Sequence, residues 1–314
     1  MSTTLGTREE VAALLRESNA RRAVLALPDL RRLNRVVEHT PEDMTVTVEA
    51  GCTLAALQQH LGARGQWLPV DPPDAATLTI ADLIAFNPSG PRRFGFGTLR
   101  DHLIGVQVAL ANGRLVRSGG KVVKNVAGFD LLKLFVGAAH SLGVAVEATF
   151  KLLPRPETEC FVRARCATLD EARRLLDGVM ASPVTPSVLD LHNDSLHGGD
   201  FSVVLGFSGS FAEVDWQLGQ AGRLGFGEPT TLEYEERFWE PNGEPVRRWP
   251  VPPDVLTERL PQLDGAAFVA RAGNGTIYFR GDARPPVPPI PSALIRRVKE
   301  TFDPHGILPP PPAV

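Results

Sequence analysis

The sequence has few cysteines, and this limits the chemistry that the chain can carry. Cys52, Cys160 and Cys166 are too few and too scattered for a disulfide framework. Cys160 and Cys166 fall on one predicted strand at an even separation, so they share a face, and small buried apolar side chains explain them better than a metal pair. The chain therefore suits a reducing cytoplasm, and it cannot itself provide the four thiolates of an iron–sulfur cluster.

An excess of charge of one sign and long apolar stretches are also missing. The formal net charge is -3, which gives no reason to expect binding to nucleic acid or to an anionic membrane. No apolar run approaches the about 20 residues that a membrane-spanning helix needs. Residues 1–18 contain acidic side chains and no apolar core, so they do not have the pattern of a secretory signal. These absences predict a cytoplasmic protein without a direct membrane span.

The composition is that of a globular protein large enough for two domains. The 314 residues are 43% hydrophobic and 22% charged, which allows two separate cores.

No nucleophilic triad, metal-ligand cluster or phosphate-binding Walker loop is present, and no metal is predicted. A general base cannot be assigned either, because each candidate histidine lacks a partner that the sequence can show. These histidines are His102, His140, His192, His197 and His305.

The stretch from Arg117 to Glu157 has the most informative order of features. It begins polar and Gly-rich, with Gly119-Gly120 and Lys124-Asn125, where backbone N–H groups can come close to a ligand. A short apolar run with helical spacing follows at Phe129–Phe135. Leu142–Leu153 is then rich in β-branched residues and ends before a proline, which predicts a strand. A loop, a helix, a glycine turn and a strand in this order are typical of a ligand-holding arrangement.

This stretch resembles the flavin-binding domain of the vanillyl-alcohol oxidase superfamily, the PCMH-type FAD-binding domain. Within that superfamily it is most similar to the FAD-binding subunits of bacterial glycolate oxidases. The resemblance rests on four sequence words, GGKVVKNVAGFD at 119–130, KLFVG at 133–137, LGV at 142–144 and KLLPRP at 151–156. It covers residues 33–156 well and returns by motif in residues 265–308.

The resemblance and the strand and helix patterns together predict an α+β protein. After a boundary near Pro154, the patterns run β-α-β-β-α-β from Cys160 to Tyr234, which is the order of a ferredoxin-like unit. We therefore expect a PCMH-type FAD-binding domain over 1–156 with a shortened N-terminal lobe. A ferredoxin-like cap or substrate domain is expected over 157–264, and a C-terminal segment over 265–314 that returns to pack on the first domain.

The resemblance implies which residues would contact FAD. Pro72-Pro73 would run beside the flavin ring, although a rigid proline loop explains the pair equally well. The loop Pro91–Asp101 would contact phosphate or a partner, and a solvated surface loop is an equal alternative. The implied cofactor-binding residues are Pro72, Pro73, Ser89, Gly90, Arg93, Gly95, Asp101, Gly119, Gly120, Lys124, Asn125, Gly128, Asp130, Gly137, Leu142, Gly143 and Val144.

The chain departs from the family where the FAD pyrophosphate is expected to bind. The family has a Gly-rich loop early in the domain, whereas this chain has only Asn19–Arg22, without glycine. Ala81-Asp82 replaces a Gly-Gly pair, and the Asp82 carboxylate would repel a phosphate, although Thr79 and Asp82 also suit an ordinary helix N-terminus. His140 stands where the family has a small residue. We therefore expect FAD to bind weakly or to be lost on purification.

The residues before the first family match predict three further elements. Thr7–Ser18 is a helix candidate, because Thr7 can cap it and Glu10 stands three residues later. Ala23–Leu27 is a predicted short strand. The apolar residues of Leu30–Val37 lie at helical spacing.

A carboxylate site is implied near the C-terminal motif. The turn at residues 273–275 resembles a Gly-Asn-Gly turn that lies near the active site in the family. Arg271 and Asn274 are therefore the predicted substrate residues, because an arginine can hold a carboxylate through two hydrogen bonds.

Three functions remain open from the sequence. The resemblance implies an FAD-dependent oxidoreductase acting on CH–OH groups, as the FAD-binding subunit of a glycolate-oxidase-like 2-hydroxyacid dehydrogenase complex. The first alternative is a degenerate subunit that has lost FAD and pairs with a catalytic flavin subunit. The second is a small-molecule-binding module that reuses the fold. The implied partners are a flavin-dehydrogenase subunit, an iron–sulfur subunit and a small 2-hydroxyacid, with peripheral attachment to the inner membrane through those subunits.

Overall fold

The computed structural model describes residues 4–120, 131–193, 201–241, 243–286 and 292–312. The helices are α1 (Arg8–Arg21), α2 (Leu54–Gly62), α3 (Ile80–Phe86), α4 (Arg93–Phe96), α5 (Leu99–His102), α6 (Leu132–Phe135), α7 (Leu169–Met180), α8 (Phe211–Arg223), α9 (Glu233–Trp239), α10 (Leu256–Arg259) and α11 (Ser292–Phe302). The strands are β1 (Val36–Thr40), β2 (Thr45–Glu49), β3 (Gln66–Trp67), β4 (Leu103–Ala109), β5 (Leu115–Gly119), β6 (Val144–Lys151), β7 (Leu153–Pro154), β8 (Thr158–Cys166), β9 (Val188–Asn193), β10 (Phe201–Gly209), β11 (Glu228–Thr230), β12 (Val246–Pro250), β13 (Phe268–Arg271) and β14 (Thr276–Arg280).

The chain divides into two compact units. The first unit comprises Met1–Ser89, Thr98–Arg155 and Pro289–Val314, and the second comprises Gly90–Gly97 and Pro156–Pro288. Of the predicted return segment 265–314, strands β13 and β14 belong to the second unit, and the part from Pro289 groups with the first. Within the described residues, no helix is both long and apolar enough to cross a membrane.

The first unit is built on a five-stranded antiparallel sheet in the order β1-β2-β6-β4-β5. All five residues of the interior strand β2 are buried, although its sequence alternates polar and apolar residues. The polar face is buried because its side chains have partners: Thr47 Oγ1 lies 3.0 Å from Thr149 Oγ1, and Glu49 pairs with Arg35 at 2.6 Å. The alternation in β2 therefore reflects one polar and one apolar face, both of which are buried, and it does not indicate a face exposed to water.

The N-terminal helix is confirmed, and the two predictions that follow it are wrong. Helix α1 has a capping box between Thr7 and Glu10. The predicted strand Ala23–Leu27 does not form, and its Leu25 N–H instead donates to Ile307 O at 2.8 Å. The helical spacing near Val36 belongs to strand β1, because pairing with β2 satisfies more backbone groups than an isolated helical turn.

The second unit contains a seven-stranded antiparallel sheet in the order β11-β8-β10-β9-β13-β14-β12. Strands β8, β9, β10 and β11 with helices α7 and α8 form the predicted ferredoxin-like unit. One face of the sheet packs on the helices through residues such as Leu189 and Val203. The opposite face carries α9, whose Tyr234 and Phe238 pack against Val204. The α+β fold class predicted from the sequence is therefore confirmed.

Candidate cofactor site

A cavity of about 220 Å³ lies in the first unit beside the start of α3. The loop before β1 forms one wall of the cavity. This loop also packs closely on Gly51, because a Cβ added to Gly51 would lie only 1.7 Å from the Leu30 carbonyl oxygen. The cavity includes Ala81 and Asp82, the pair that the sequence places where the pyrophosphate would bind. Its lining residues are Leu27, Pro28, Asp29, Leu30, Arg31, Thr77, Thr79, Ala81, Asp82, His140 and Val144.

The backbone donors at the start of α3 are already used by the protein. Thr79 caps this helix, which has only seven residues. Each N–H group of the first turn donates to an acceptor within the first unit, so none is left for a phosphate oxygen. These bonds run from Ile80 N to Cys52 O (2.9 Å), from Ala81 N to Ala50 O (2.7 Å) and from Asp82 N to Thr79 Oγ1 (3.1 Å).

The charges in the cavity are paired. Thr79 Oγ1 donates to Asp82 Oδ2 at 2.5 Å, and Asp82 Oδ1 lies 3.6 Å from His140 Nε2. Burial acts to raise the pKa of Asp82, but the contacts with His140 and Thr79 outweigh it and leave the pKa below its ordinary value. The Arg31 guanidinium, bound to both carboxylate oxygens, lowers the pKa of Asp29 to about 2. Both carboxylates are therefore ionised at neutral pH.

The pyrophosphate of FAD does not fit this cavity. Ligand pockets usually measure about 300–1,000 Å³, whereas this cavity measures about 220 Å³. The Arg31 guanidinium and the His140 ring each face a carboxylate, and an entering phosphate would have to break one of these contacts. No backbone donor at the start of α3 compensates for that loss. The expected weakness at this end of the cofactor therefore has a structural basis.

The other end of α3 has the properties of a ligand contact. Asn87 ends α3 in the left-handed conformation, and its Oδ1 is buried with no hydrogen-bond partner in the part of the chain that the structure describes. Beside it, Gly137 has a φ of +80°, and an added Cβ would meet only Asn87 Cβ, at 4.0 Å. A buried acceptor without a donor, next to open backbone, is what an N–H or O–H group of a ligand would complete. The N–H and O–H groups of the ring and ribityl chain of a flavin are donors of this kind.

Several of the predicted cofactor residues have local structural roles. Gly119 has a φ of +70° and so little space that an added Cβ would lie 2.1 Å from Ile104 O. The Asp101 carboxylate accepts the Thr98 N–H at 2.8 Å and so caps α5. Leu142 and Val144 lie in the apolar core, and Gly143 packs closely against β4.

The remaining predicted cofactor residues divide into three groups. In the first unit, Pro72 is buried, Pro73 is half-buried, Ser89 is buried, and Gly120 has open space at its Cβ position. In the second unit are Gly90, Arg93 and Gly95, and the Gly95 N–H donates to Ser187 O at 3.0 Å. Outside the described residues are Lys124, Asn125, Gly128 and Asp130.

Arg271 has partners other than the substrate carboxylate predicted from the sequence. Its side chain is 1% exposed, and its guanidinium binds the carboxylates of Asp190 and Glu235. Tyr234 Oη also donates to Asp190, at 2.7 Å. We call Asp190, Tyr234, Glu235 and Arg271 the α9 cluster. The other predicted substrate residue, Asn274, lies in the turn after β13, and its Oδ1 is buried without a partner.

Sequence reasoning missed Asn87 and most of the α9 cluster. Asn87 stands before a proline, at a helix end where asparagine tolerates the left-handed conformation, and this was a usable signal. Asp190 lies between Leu189 and Leu191 in a strand, and an acidic residue in such a run indicates a partner on its own face. The partner Glu235 lies on a separate short helix, so no spacing in the sequence connects it to Asp190.

Comparison with known proteins agrees with this reading of the first unit. Residues 24–119 match the family described as FAD binding domain. The chain is 34% identical over 310 residues to glycolate oxidase subunit GlcE of Escherichia coli (strain K12), which covers 90% of this chain and 85% of that protein. It is 36% identical over 160 residues to glycolate oxidase subunit GlcD of Bacillus subtilis (strain 168), covering 51% of this chain.

The matched lengths differ between relatives. The chain covers only 34% of the GlcD protein. It covers 28% of a probable mitochondrial D-lactate dehydrogenase of Danio rerio, to which it is 36% identical over 141 residues, or 44% of this chain. It therefore spans about a third or less of these two proteins, but most of GlcE.

The fold has solved relatives at low sequence identity. A structure of alkyldihydroxyacetonephosphate synthase matches with a TM-score of 0.72 and 18% identity, over 97% of this chain and 74% of that chain. This likeness concerns the fold alone and agrees with the α+β class predicted from the sequence. The chain carries the FAD binding domain match over residues 24–119, and its match to GlcE extends over nearly the whole length of both proteins, so the chain belongs to the family of glycolate oxidase subunit GlcE.

Proposed function

We propose that the chain is the FAD-binding subunit of a glycolate-oxidase-like 2-hydroxyacid dehydrogenase complex. The observation that carries this proposal is the 34% identity to glycolate oxidase subunit GlcE over 310 residues. Other relatives are named as D-lactate dehydrogenase and D-2-hydroxyglutarate dehydrogenase, so 2-hydroxyacids are their common substrate class. The proposed partners are a flavin-dehydrogenase subunit and an iron–sulfur subunit, and any attachment to the inner membrane is peripheral and runs through them.

We assign the roles of the two units accordingly. The first unit is the FAD-binding domain, because it contains most of residues 24–119 and both ends of α3. The second unit is the cap or substrate domain. The segment Gly90–Gly97 lies within the family match but belongs to the second unit, so the cap includes a piece of the flavin-domain sequence.

When bound, FAD supplies the acceptor for the hydride that leaves the Cα of the hydroxyacid. The chain would contribute orienting contacts: Asn87 Oδ1 would accept a hydrogen bond from the bound flavin, and Gly137 would leave room beside it. At the pyrophosphate side, the chain lacks two hydrogen bonds from backbone N–H groups to phosphate oxygens, which would contribute roughly 1.5–3 kcal/mol each. Their absence weakens binding by roughly two to four decades, because about 1.4 kcal/mol corresponds to tenfold.

A structural subunit without its own FAD is the second candidate. The paired charges and the occupied N–H groups beside Asp82 favour it, because they disfavour an anionic cofactor at that end of α3. The two candidates differ in a measurable way. In a reconstituted complex, a structural subunit would be needed for assembly, but its Asn87 would have no effect on turnover.

The test is reconstitution of the chain with its flavin-dehydrogenase and iron–sulfur partners, followed by 2-hydroxyacid oxidation with a dye acceptor. We compare the wild type, Asn87→Ala and Asn112→Ala, an exposed turn residue of the same type in the same unit. For an FAD-binding subunit, Asn87→Ala lowers the flavin content and the rate, and Asn112→Ala does not. Complexes of unchanged flavin content and rate with Asn87→Ala would support the structural subunit instead.

A further inference from the structure

Helix α9 is joined to the second sheet through a buried group of charged side chains. In the α9 cluster, Asp190 comes from β9, Arg271 from β13, and Tyr234 and Glu235 from α9 itself. Asp190 and Arg271 are each 1% exposed at the side chain, and Glu235 is 12% exposed. Asp190 and Arg271 are paired directly across neighbouring strands. The cluster therefore connects the helix to two strands at a point that water barely reaches.

The hydrogen bonds of the α9 cluster are unevenly distributed over the Asp190 carboxyl group. Its Oδ2 accepts from Tyr234 Oη at 2.7 Å and from Arg271 Nη1. Its Oδ1 is buried and has no hydrogen-bond partner among the described residues. An ionised oxygen in this position would lose its hydration without gaining a hydrogen bond from the protein. Glu235 Oε2 also has no hydrogen bond among the described residues, but the Glu235 side chain is 12% exposed whereas that of Asp190 is 1% exposed, so a proton stabilises the group most at Asp190 Oδ1.

The charges of the cluster do not balance when both acids are ionised. One guanidinium, that of Arg271, faces the carboxylates of Asp190 and Glu235. Three aromatic side chains pack around these groups. From β9, His192 stacks on Tyr234 at 4.4 Å; from β14, Tyr278 lies 5.6 Å from the guanidinium; and from α9, Trp239 Nε1 donates to Glu235 at 2.7 Å.

A second cation lies close to α9 but is engaged elsewhere. Arg280, on β14, donates to the backbone carbonyl groups of Phe238 and Glu240 at the end of the helix. On β10, the residue opposite Asp190 is the apolar Val204. The excess negative charge therefore stays within the α9 cluster, in surroundings where it is poorly screened.

We propose that the α9 cluster is a buried proton-binding site, in which Asp190 carries a proton on Oδ1 while α9 is docked and loses it when the pH rises. Release of the proton leaves two carboxylates on one guanidinium and so weakens the docking of α9. The ligand of this site is the proton itself, exchanged with the solvent when α9 opens locally. The inference concerns the second unit alone and does not depend on FAD.

The direction of the pH dependence follows from the environment of Asp190. Burial raises the pKa of this carboxyl group from 3.8 to about 7, with Glu235 adding to the effect and Arg271 opposing it. Because the pKa is higher when the helix is docked, the proton stabilises docking fully at acid pH. This contribution is lost as the pH rises through about 7.

The test measures the protection of the α9 amides by hydrogen exchange in the full chain, corrected for the intrinsic rate at each pH. In the wild type, we expect the protection to fall by about tenfold per pH unit between about pH 5 and 7 and to level off above about pH 8. Asp190→Asn, which imitates the protonated acid, should remove this slope. Asp177→Asn is the matched control, because Asp177 lies on α7 in the same unit and its side chain is 75% exposed.

A spectroscopic measurement on the wild type keeps the proposal testable if Asp190→Asn does not fold. Among carbon-13 signals of aspartate carboxyl groups, one should titrate near pH 7 while the exposed carboxyl groups titrate near their ordinary values of about 4. Either a set of aspartate signals that all titrate below about pH 5, or an unchanged slope of protection in folded Asp190→Asn, would overturn the proposal.

Discussion

At the scale of single residues, one carboxylate decides how the start of α3 meets an anion. Asp82 hydrogen-bonds Thr79 and faces His140, so it stabilises its own helix while it repels phosphate. The sequence predicted both effects, because an acidic residue in a first helical turn has both consequences. It could not show that every N–H group of that turn is already used, since the acceptors Ala50 and Cys52 lie in a different segment.

We expect Asp82→Asn to tighten FAD binding by about tenfold, because the substitution removes a charge close to the phosphates but keeps the size of the side chain. The measurement is a titration of the purified chain with FAD, followed by flavin fluorescence. Asp43→Asn, an exposed acid of the same unit, serves as the control. An unchanged affinity in Asp82→Asn would mean that the phosphates lie away from this cavity.

A second prediction at this scale concerns Arg271. Replacing it by methionine leaves Asp190 and Glu235 buried without their cation, which costs about 3–5 kcal/mol in the free energy of unfolding. The matched control is Arg173→Met, because Arg173 pairs with Glu258 but the two side chains are 46% and 54% exposed, and its loss should cost no more than about 1 kcal/mol. Urea unfolding at neutral pH measures both. Equal losses would show that burial does not set the strength of these pairs.

At the scale of elements, the periodicity of the sequence correctly predicted a helix or a strand where residues within that segment determine its structure. Helix α1 has its capping box, and the β-α-β-β-α-β order of the second unit was predicted from local patterns. Periodicity failed at Leu30–Val37, whose apolar spacing suits a helix but whose last two residues lie in strand β1, which pairs with β2. Pairing with a distant strand is a tertiary effect, so the spacing of the segment alone does not contain it.

The contact between the loop before β1 and Gly51 gives a prediction for these elements. Gly51→Ala places a Cβ 1.7 Å from Leu30 O, so the loop must move away and the wall of the cavity opens. We expect a loss of about 1–3 kcal/mol in the free energy of unfolding, measured by thermal or urea unfolding. Gly120→Ala is the control, because an added Cβ there meets nothing within 4 Å. A Gly51→Ala protein as stable as Gly120→Ala would contradict the close approach.

At the scale of the whole molecule, the sequence predicted an α+β protein with a flavin-type domain and a cap, and the fold agrees. It could not predict that β13 and β14 extend the sheet of the second unit, because two short strands joined by a tight turn can be added to either sheet. The segment Gly90–Gly97 was missed for a related reason. Its place in the second unit rests on contacts such as Gly95 with Ser187, which are distant in sequence.

The proposed division of FAD contacts predicts the ligand preference of the whole chain. If the ring side supplies most of the contacts and the pyrophosphate few, then riboflavin should bind the isolated chain within about tenfold of the affinity of FAD. Competition between the two ligands, followed by flavin fluorescence, gives the ratio. FAD binding that is tighter by about three decades or more would show that the phosphates have strong partners after all.

The division of the chain into units has a consequence for how the protein is made. The first unit needs Pro289–Val314, where Ile307 is completely buried and its carbonyl accepts the Leu25 N–H at 2.8 Å. A ribosome therefore synthesises all of Pro156–Pro288 before the core that begins near residue 4 can close. During that time the nascent N-terminal portion has an unfinished core, so we expect chaperones to protect it. For the same reason, a fragment that stops at Arg155 should be insoluble when expressed alone.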